Sequence, residues 1–300
     1  MCELFGFTSS KEEDVTDYLK AFYSHCEEHP HGWGLSILDE NRSCLVKEPV
    51  KASKSDLLKE MLSSGILGKN ILAHIRFATI GKMDKTNCHP FAKKDKFGRT
   101  WTLIHNGTIF NCPELSKYHD VECGDTDSER IICCFVDKIN GFEKELSAEE
   151  RFNFINDMVS RMAEGNKLNF MLSDGEQIFV HINCQGLLHY LKDEHSIIFS
   201  TKPLDDNLFW FNFPLNTLIS FKDGKVLFKG ESHGKEYIPT CEQLWAVSDF
   251  ILSMQDDNSE GELNFDRSDL KSLKYRFIWI LNSYFDFLWL FREIGMDFNN

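Results

Sequence analysis

A succession of six short apolar runs separated by turn residues constrains this chain more than any other feature. The runs cover residues 168–173, 177–183, 187–191, 196–200, 215–222 and 225–229, and the breaks between them include Asp174-Gly175 and Asp223-Gly224. Runs of this length, bounded by such dipeptides, read as β-strands joined by tight turns. Upstream, strand and helix signals alternate. Strands are expected over 2–7, 32–38, 70–79 and 100–105, and helices over 11–26, 55–64, 126–140 and 148–164. Ser55 stands where the second helix needs an N-cap. Two further helices are expected over 242–254 and 268–294, with the acidic run from Gln255 to Glu262 as the loop between them. Strands mixed with helices, then strands in series, then helices: this order predicts an α+β fold with antiparallel sheets, not a doubly wound parallel sheet. The change of texture near Pro239 divides the chain into a body over 1–238 and a helical extension over 239–300.

Composition removes several classes of function. The 300 residues are 42% hydrophobic, which suits a globular protein. Lys and Arg number 33 against 47 Asp and Glu, a formal charge of −14, and such a surface repels phosphate backbones. Nucleic acid is therefore not expected as a partner. The ten cysteines are scattered and form no Cys-x-x-Cys pair, so no metal site is expected and most read as small buried hydrophobes in a reducing cytosol. The first residues turn acidic without a basic segment, unlike a signal peptide, and a cytoplasmic protein is expected. The most apolar stretch, 277–291, contains Asn282, Ser283 and Asp286 and falls short of the ~18 apolar residues of a membrane span.

Five places carry candidate chemistry. Cys2 becomes the first residue once Met1 is removed, and its thiol then lies beside a free α-amine. With pKa near ~8 that amine can serve as its base. Arg76 lies in the apolar strand around Ala73-His74-Ile75-Arg76-Phe77. A buried Arg requires a partner, either a core carboxylate or the carboxylate of a substrate. Asn106-Gly107 follows a strand and reads as a hairpin turn or as two donors for an oxyanion. Asp127, in Gly124-Asp125-Thr126-Asp127-Ser128-Glu129, either caps a helix or holds a substrate ammonium. His31-Gly32-Trp33-Gly34 and Cys88-His89-Pro90-Phe91 read as turn elements beside strands.

In order, Met-Cys, His-Gly-Trp-Gly, His-x-Arg-x-Ala-Thr-x-Gly, Cys-His-Pro-Phe, His-Asn-Gly-x-Ile-x-Asn-x-x-Glu-Leu and Gly-Asp-Thr-Asp-Ser-Glu resemble the class II glutamine amidotransferases. The resemblance covers about residues 1–230 and is closest to the short, stand-alone branch that includes γ-glutamyl hydrolases of ergothioneine and glutathione metabolism. Ser200-Thr201-Lys202-Pro203-Leu204 also favours that branch.

The resemblance implies the N-terminal-nucleophile hydrolase fold, a four-layer αββα sandwich of two mostly antiparallel sheets, here with a C-terminal helical extension. It implies Cys2 as nucleophile and Asn106 and Gly107 as the oxyanion hole. Arg76 would hold the substrate α-carboxylate, Asp127 would hold the α-ammonium, and Thr79 and His89 would shape the pocket. No cofactor is implied. Phe77 replaces a Trp common in larger members, and Ile80 stands where several have His. The activity implied is hydrolysis of the glutamine γ-amide through a γ-glutamyl thioester, with ammonia passing to solvent or a partner. Hydrolysis of another γ-glutamyl compound at the same site is the alternative. A catalytically weak regulatory subunit is the second. A synthase on a partner chain is the macromolecular partner the resemblance implies, and the apolar surface of the last expected helix suits a second copy of this chain or another partner.

Overall fold

The computed structural model describes residues 2–39, 42–78, 81–120, 122–240, 242, 243 and 246. The site candidate Thr79 lies outside the described residues. So do the two expected C-terminal helices, save Glu242, Gln243 and Ala246.

The body begins with β1 (Glu3–Asp14), α1 (Thr16–Ser24), β2 (Trp33–Asp39), β3 (Arg42–Glu48), α2 (Asp56–Ser64) and β4 (Leu67–Ile75). It continues with β5 (Phe91–Lys94), β6 (Thr100–Thr108), α3 (Asp127–Asn140) and α4 (Ala148–Met162). The strand series follows: β7 (Lys167–Ser173), β8 (Ile178–His181), β9 (His189–Lys192), β10 (Ser196–Ser200), β11 (Phe211–Asn212), β12 (Ile219–Lys222) and β13 (Lys225–Lys229). Two sheets result, in the orders β11-β9-β10-β1-β4-β2-β3 and β13-β12-β8-β7-β6-β5. Every recorded pairing is antiparallel.

Three apolar clusters fix the layering. Phe5, Phe7, Leu35 and Ala73 on one sheet pack against Leu19 and Phe22 of α1 and Leu58 of α2. Leu103, Phe170 and Leu172 on the other pack against Ile131 and Phe135 of α3 and Ile155 and Met158 of α4. Between the sheets lie Leu4, Leu72, Ile104, Met171 and Phe199. Helices cover both outer faces, so the architecture is an αββα sandwich.

The helix ends follow local chemistry. Ser55 accepts from the Leu58 N–H at 3.0 Å at the start of α2, and Ser147 with Glu150 forms a capping box at the start of α4. Caps of this kind stabilise a helix by ~1 kcal/mol each. The Asp223-Gly224 turn has both residues at positive φ, as a two-residue hairpin requires.

One expected element is corrected. Residues 11–14 are not helical: β1 runs on to Asp14 and α1 begins only at Thr16. The Ser10 N–H donates to the His195 carbonyl, Ser9 bonds Glu13, and Glu13 pairs with Gly68 after a register shift. Edge contacts thus capture a polar segment whose composition alone favours helix. Among the described residues no helix is long and apolar enough to cross a membrane.

Candidate active site

Strand alternation decides which side chains reach the space between the sheets. On β1, Phe5 and Phe7 face the helices while Leu4 faces inward, so Cys2 falls on the inner row. On β4, Leu72 is inward and Ile71, Ala73 and Ile75 outward, which puts His74 on the inner row. On β6, Ile104 is inward and Leu103 outward, which places Asn106 with Ile104. On β7, Met171 is inward and Leu168 and Phe170 outward, which places Lys167 and Asn169 with Met171. All four inner rows change from apolar to polar in the same direction, and the site lies at that polar end.

Cys2 is half-buried. Its Sγ donates to the Phe77 carbonyl at 3.3 Å and accepts from the Phe77 N–H at 3.4 Å. Burial raises the thiol pKa and prevails, while the terminal ammonium, then the Phe77 N–H, the Arg76 guanidinium and the Lys167 ammonium pull it down.

Arg76 follows β4 and is 2% exposed. Its backbone N–H bonds the Gly32 carbonyl at 2.8 Å, extending the ladder beyond the strand. Its guanidinium donates to the carbonyls of Lys82 at 3.0 Å and Gly81 at 3.2 Å. Asn87 ties this loop to the next one, donating to the Lys82 carbonyl and to Asp125. Gly81 has φ +81°, and a Cβ there would stand 2.6 Å from Asp125. Burial lowers the guanidinium pKa, offset in part by Cys2, Cys88, Asp125 and Asp127.

Asn106 and Gly107 lie inside β6, which sets aside the hairpin-turn alternative. Asn106 is 2% exposed and its Nδ2 has no hydrogen-bond partner among the described residues. Its backbone carbonyl accepts from Asn169 Nδ2 at 2.9 Å. Asn169 Oδ1 in turn accepts from the N–H groups of Asn183 and Cys184. Gly107 is required by close approach: a Cβ there would sit 1.9 Å from the Lys167 carbonyl oxygen.

Asp127 is the first residue of α3 and is buried, with Thr126 as the cap that accepts from the Glu129 N–H. Asp127 Oδ2 accepts from the Ile109 N–H at 2.7 Å, joining the end of β6 to α3. Beside it His105 Nδ1 lies 2.9 Å from Ser128 Oγ.

His89 precedes Pro90 through a cis peptide bond. Its ring lies tilted against His74, centroids 4.0 Å apart, and neither nitrogen of the His89 ring has a partner among the described residues. Burial and the charge of Arg76 hold His74 and His89 neutral. The same causes hold His31, whose Nδ1 accepts from the Ala78 N–H at 2.9 Å, at a pKa of about 4. The glycines of His31-Gly32-Trp33-Gly34 have a steric reason. A Cβ at Gly32 would meet Cys88 Sγ at 2.6 Å, and one at Gly34 would meet the His89 carbonyl at 2.0 Å.

The family model of the class II glutamine amidotransferases matches residues 1–196. The chain belongs to this family. A candidate glutamine amidotransferase of Haemophilus influenzae is 27% identical over 267 residues, which is 79% of this chain and 90% of that one. The crystal structure of a predicted glutamine amidotransferase from Pseudomonas aeruginosa covers 76% of this chain and all of its own, at TM-score 0.56 and 21% identity. Glutamine phosphoribosylpyrophosphate amidotransferase of B. subtilis covers 79% of this chain and 50% of its own, at TM-score 0.59 and 15% identity. At these identities the structural likeness concerns the fold, which is that of N-terminal-nucleophile amidotransferases.

Within this class II amidotransferase frame, Cys2, Arg76, Asn106, Gly107, Asp127 and His89 are all placed by the structure. Arg76 acts electrostatically on three of them, Cys2, Asp127 and His89. Three residues at the site were not singled out from sequence: Lys167, Asn169 and His105. Lys167 and Asn169 share parity with Met171 in an otherwise apolar run, and that is the signal that would have found them.

Proposed function

We propose that this amidotransferase hydrolyses the γ-amide of glutamine through a γ-glutamyl thioester on Cys2. With Met1 removed, the Cys2 α-amine accepts the Sγ proton and the thiolate attacks the γ-carbonyl carbon. The carbonyl oxygen takes the negative charge and accepts from Asn106 Nδ2 and the Gly107 N–H. Collapse breaks the C–N bond, and the α-ammonium returns the proton to the departing nitrogen, which leaves as ammonia to solvent or to a synthase on a partner chain. Water then cleaves the thioester, yielding glutamate and the free thiol. Arg76 holds the substrate α-carboxylate bidentately and Asp127 the α-ammonium, while Thr79 and His89 shape the pocket.

The observation that carries this reading is the buried amide of Asn106. Among the described residues its Nδ2 has no acceptor, and Asn106 belongs to an inner row facing the sheet that carries Cys2, beside a glycine that admits close approach. A buried donor without an acceptor is costly, and an incoming oxyanion removes that cost.

The test is ammonia release from glutamine by purified protein, beside amine release from a panel of γ-glutamyl compounds. Intact mass should show loss of Met1, a glutamine-like diazo-ketone should label Cys2, and Cys2→Ala should abolish turnover. Turnover surviving in Cys2→Ala, or with an extended N-terminus, would sink the mechanism. Turnover confined to other γ-glutamyl compounds would keep the machinery and replace the substrate.

A further inference from the structure

Asn169 stands opposite Asn106 in the ladder between β6 and β7 and is 1% exposed. Its side-chain amide bridges β7. On one side Nδ2 donates to the Asn106 carbonyl at 2.9 Å. On the other, Oδ1 accepts from the N–H groups of Asn183 at 2.9 Å and Cys184 at 3.2 Å. The pairing of β7 with β8 runs only to Phe170 and His181, so the Asn169 amide takes over where that ladder stops. A backbone N–H can only donate and a carbonyl can only accept, so both ends fix the amide the same way round.

The far end of this bridge is itself held. Asn183 is fully buried. Its Oδ1 accepts from the Leu168 N–H at 2.8 Å, and its Nδ2 donates to the carbonyls of Asn166 at 2.8 Å and Ala163 at 3.3 Å. Its backbone carbonyl accepts from the Tyr237 N–H at 2.6 Å. Asn169 therefore grips the Asn106 carbonyl from a fixed support.

That carbonyl and the Gly107 N–H belong to one peptide unit. The unit is planar and trans, so its C=O and N–H point in opposite directions. Gly107 lacks a Cβ because the Lys167 carbonyl lies too close, and a glycine leaves the adjoining peptide plane freer to rotate than another residue would. A bond that anchors the C=O thus aims the N–H, and also polarises it.

We propose that Asn169 is a positioning residue for the oxyanion hole: by holding the Asn106 carbonyl it aims the Gly107 N–H at the charge that develops on the substrate. The inference rests on the reading of Asn106 and Gly107 as the oxyanion donors. Asn169 gives up no proton and touches no reacting atom. It also accounts for a buried amide on a row whose other members include the apolar Met171.

The experiment compares wild type, Asn169→Leu and Asn106→Ala in steady-state cleavage of glutamine, with folding checked by circular dichroism. Removing an oxyanion donor costs about 10²–10³ in kcat and misaiming one costs part of that, so Asn169→Leu should lose about tenfold or more in kcat with KM little changed. The γ-aldehyde analogue of glutamine adds to the Cys2 thiol as a thiohemiacetal, whose oxygen occupies the oxyanion position. Its inhibition constant should rise by the same factor as kcat falls, a match that a merely structural loss would not produce. A folded Asn169→Leu with wild-type kcat, beside an Asn106→Ala that has lost it, overturns the proposal alone. Wild-type kcat in Asn106→Ala overturns the oxyanion reading, and the proposal falls with it. Should Asn169→Leu fail to fold, Asn169→Ser decides. Its hydroxyl is too short to bridge both sides, so the same paired losses are expected, and wild-type kcat in that variant overturns the proposal.

Discussion

Two arginines in this molecule are equally buried, and their surroundings push their pKa values in opposite directions. Arg151 and Arg76 are each 2% exposed. Arg151, on α4, donates to Asp174 at 2.6 Å, to Glu176 and to the Leu146 carbonyl at 2.6 Å. Burial lowers its pKa, but the two carboxylates more than offset this and the net shift is upward. At Arg76 burial prevails and the net shift is downward. Its guanidinium donates to the carbonyls of Gly81 and Lys82, and the rings around it, His31, His74 and His89, are neutral. A guanidinium matched by carboxylates is a fastener. One bonded to backbone carbonyls, with Asp125 and Asp127 offsetting its burial only in part, would in the proposed reading still attract an anion that arrives later.

The contrast can be broken by substitution. Arg151→Met strands the buried Asp174, while Glu176 keeps Lys222, and removing one partner of a buried pair costs about 3–5 kcal/mol. Urea unfolding should show that loss, with activity per folded molecule unchanged. Asn106→Ala should act on the reaction instead, lowering kcat by about 10²–10³ because an oxyanion donor is lost. Steady-state kinetics with stability measured in parallel checks it, and a fall in KM-dependent terms alone would contradict the assignment. Arg76→Ala removes one charge-assisted contact, of about 1.5–3 kcal/mol, so kcat/KM should fall tenfold or more, chiefly through KM. If Arg76→Ala instead destabilises the fold as much as Arg151→Met and leaves KM unchanged, both arginines are fasteners and the carboxylate role is wrong.

The sequence exposed the central strands and the site motifs because both depend on short-range pattern. Runs such as 168–173 put buried apolar residues on both faces, Leu168, Phe170 and Leu172 toward the helices and Met171 toward the other sheet, since each sheet is covered on both sides. The edges were harder to read. β3 and β5 close the two sheets at one edge each, and their segments Arg42–Glu48 and Phe91–Lys94 mix Lys, Arg and Glu with few apolar residues. An edge strand is half-solvated, so no strong period marks it. Asn106-Gly107 illustrates the reverse error available to pattern reading. The dipeptide is a strong turn signal, yet the ladder to β7 holds it extended, with Asn106 opposite Asn169. Lys167 was hidden because one lysine at the start of an apolar run looks like a solvated strand end, whereas the fold buries it.

Acid stability offers the smallest effect and the finest separation of the two arginine neighbourhoods. His31 has a folded pKa of about 4, below its ordinary 6.5, because burial and then Arg76 disfavour its charged form. Between those values the unfolded chain binds a proton that the folded chain refuses. The contribution is therefore complete above about pH 6.5 and is lost as pH falls toward 4. Glu176, at Arg151, has the opposite origin. Burial raises its carboxyl pKa, but Lys222 and Arg151 bring the net shift below the ordinary 4.5. Its contribution is present above 4.5 and is lost only as pH falls through the lower folded value. The neighbourhood of Arg76 should thus weaken first on acidification and that of Arg151 second. Urea midpoints from pH 7 to pH 4 should fall with a shallower slope in His31→Gln than in wild type. Other buried histidines keep part of that slope, so the change is partial. Glu176→Gln should leave the slope above 4.5 unaltered and flatten the curve below it. Equal slopes for His31→Gln and wild type would mean that His31 titrates normally in the folded protein, and the picture of neutral rings around Arg76 would have to be given up.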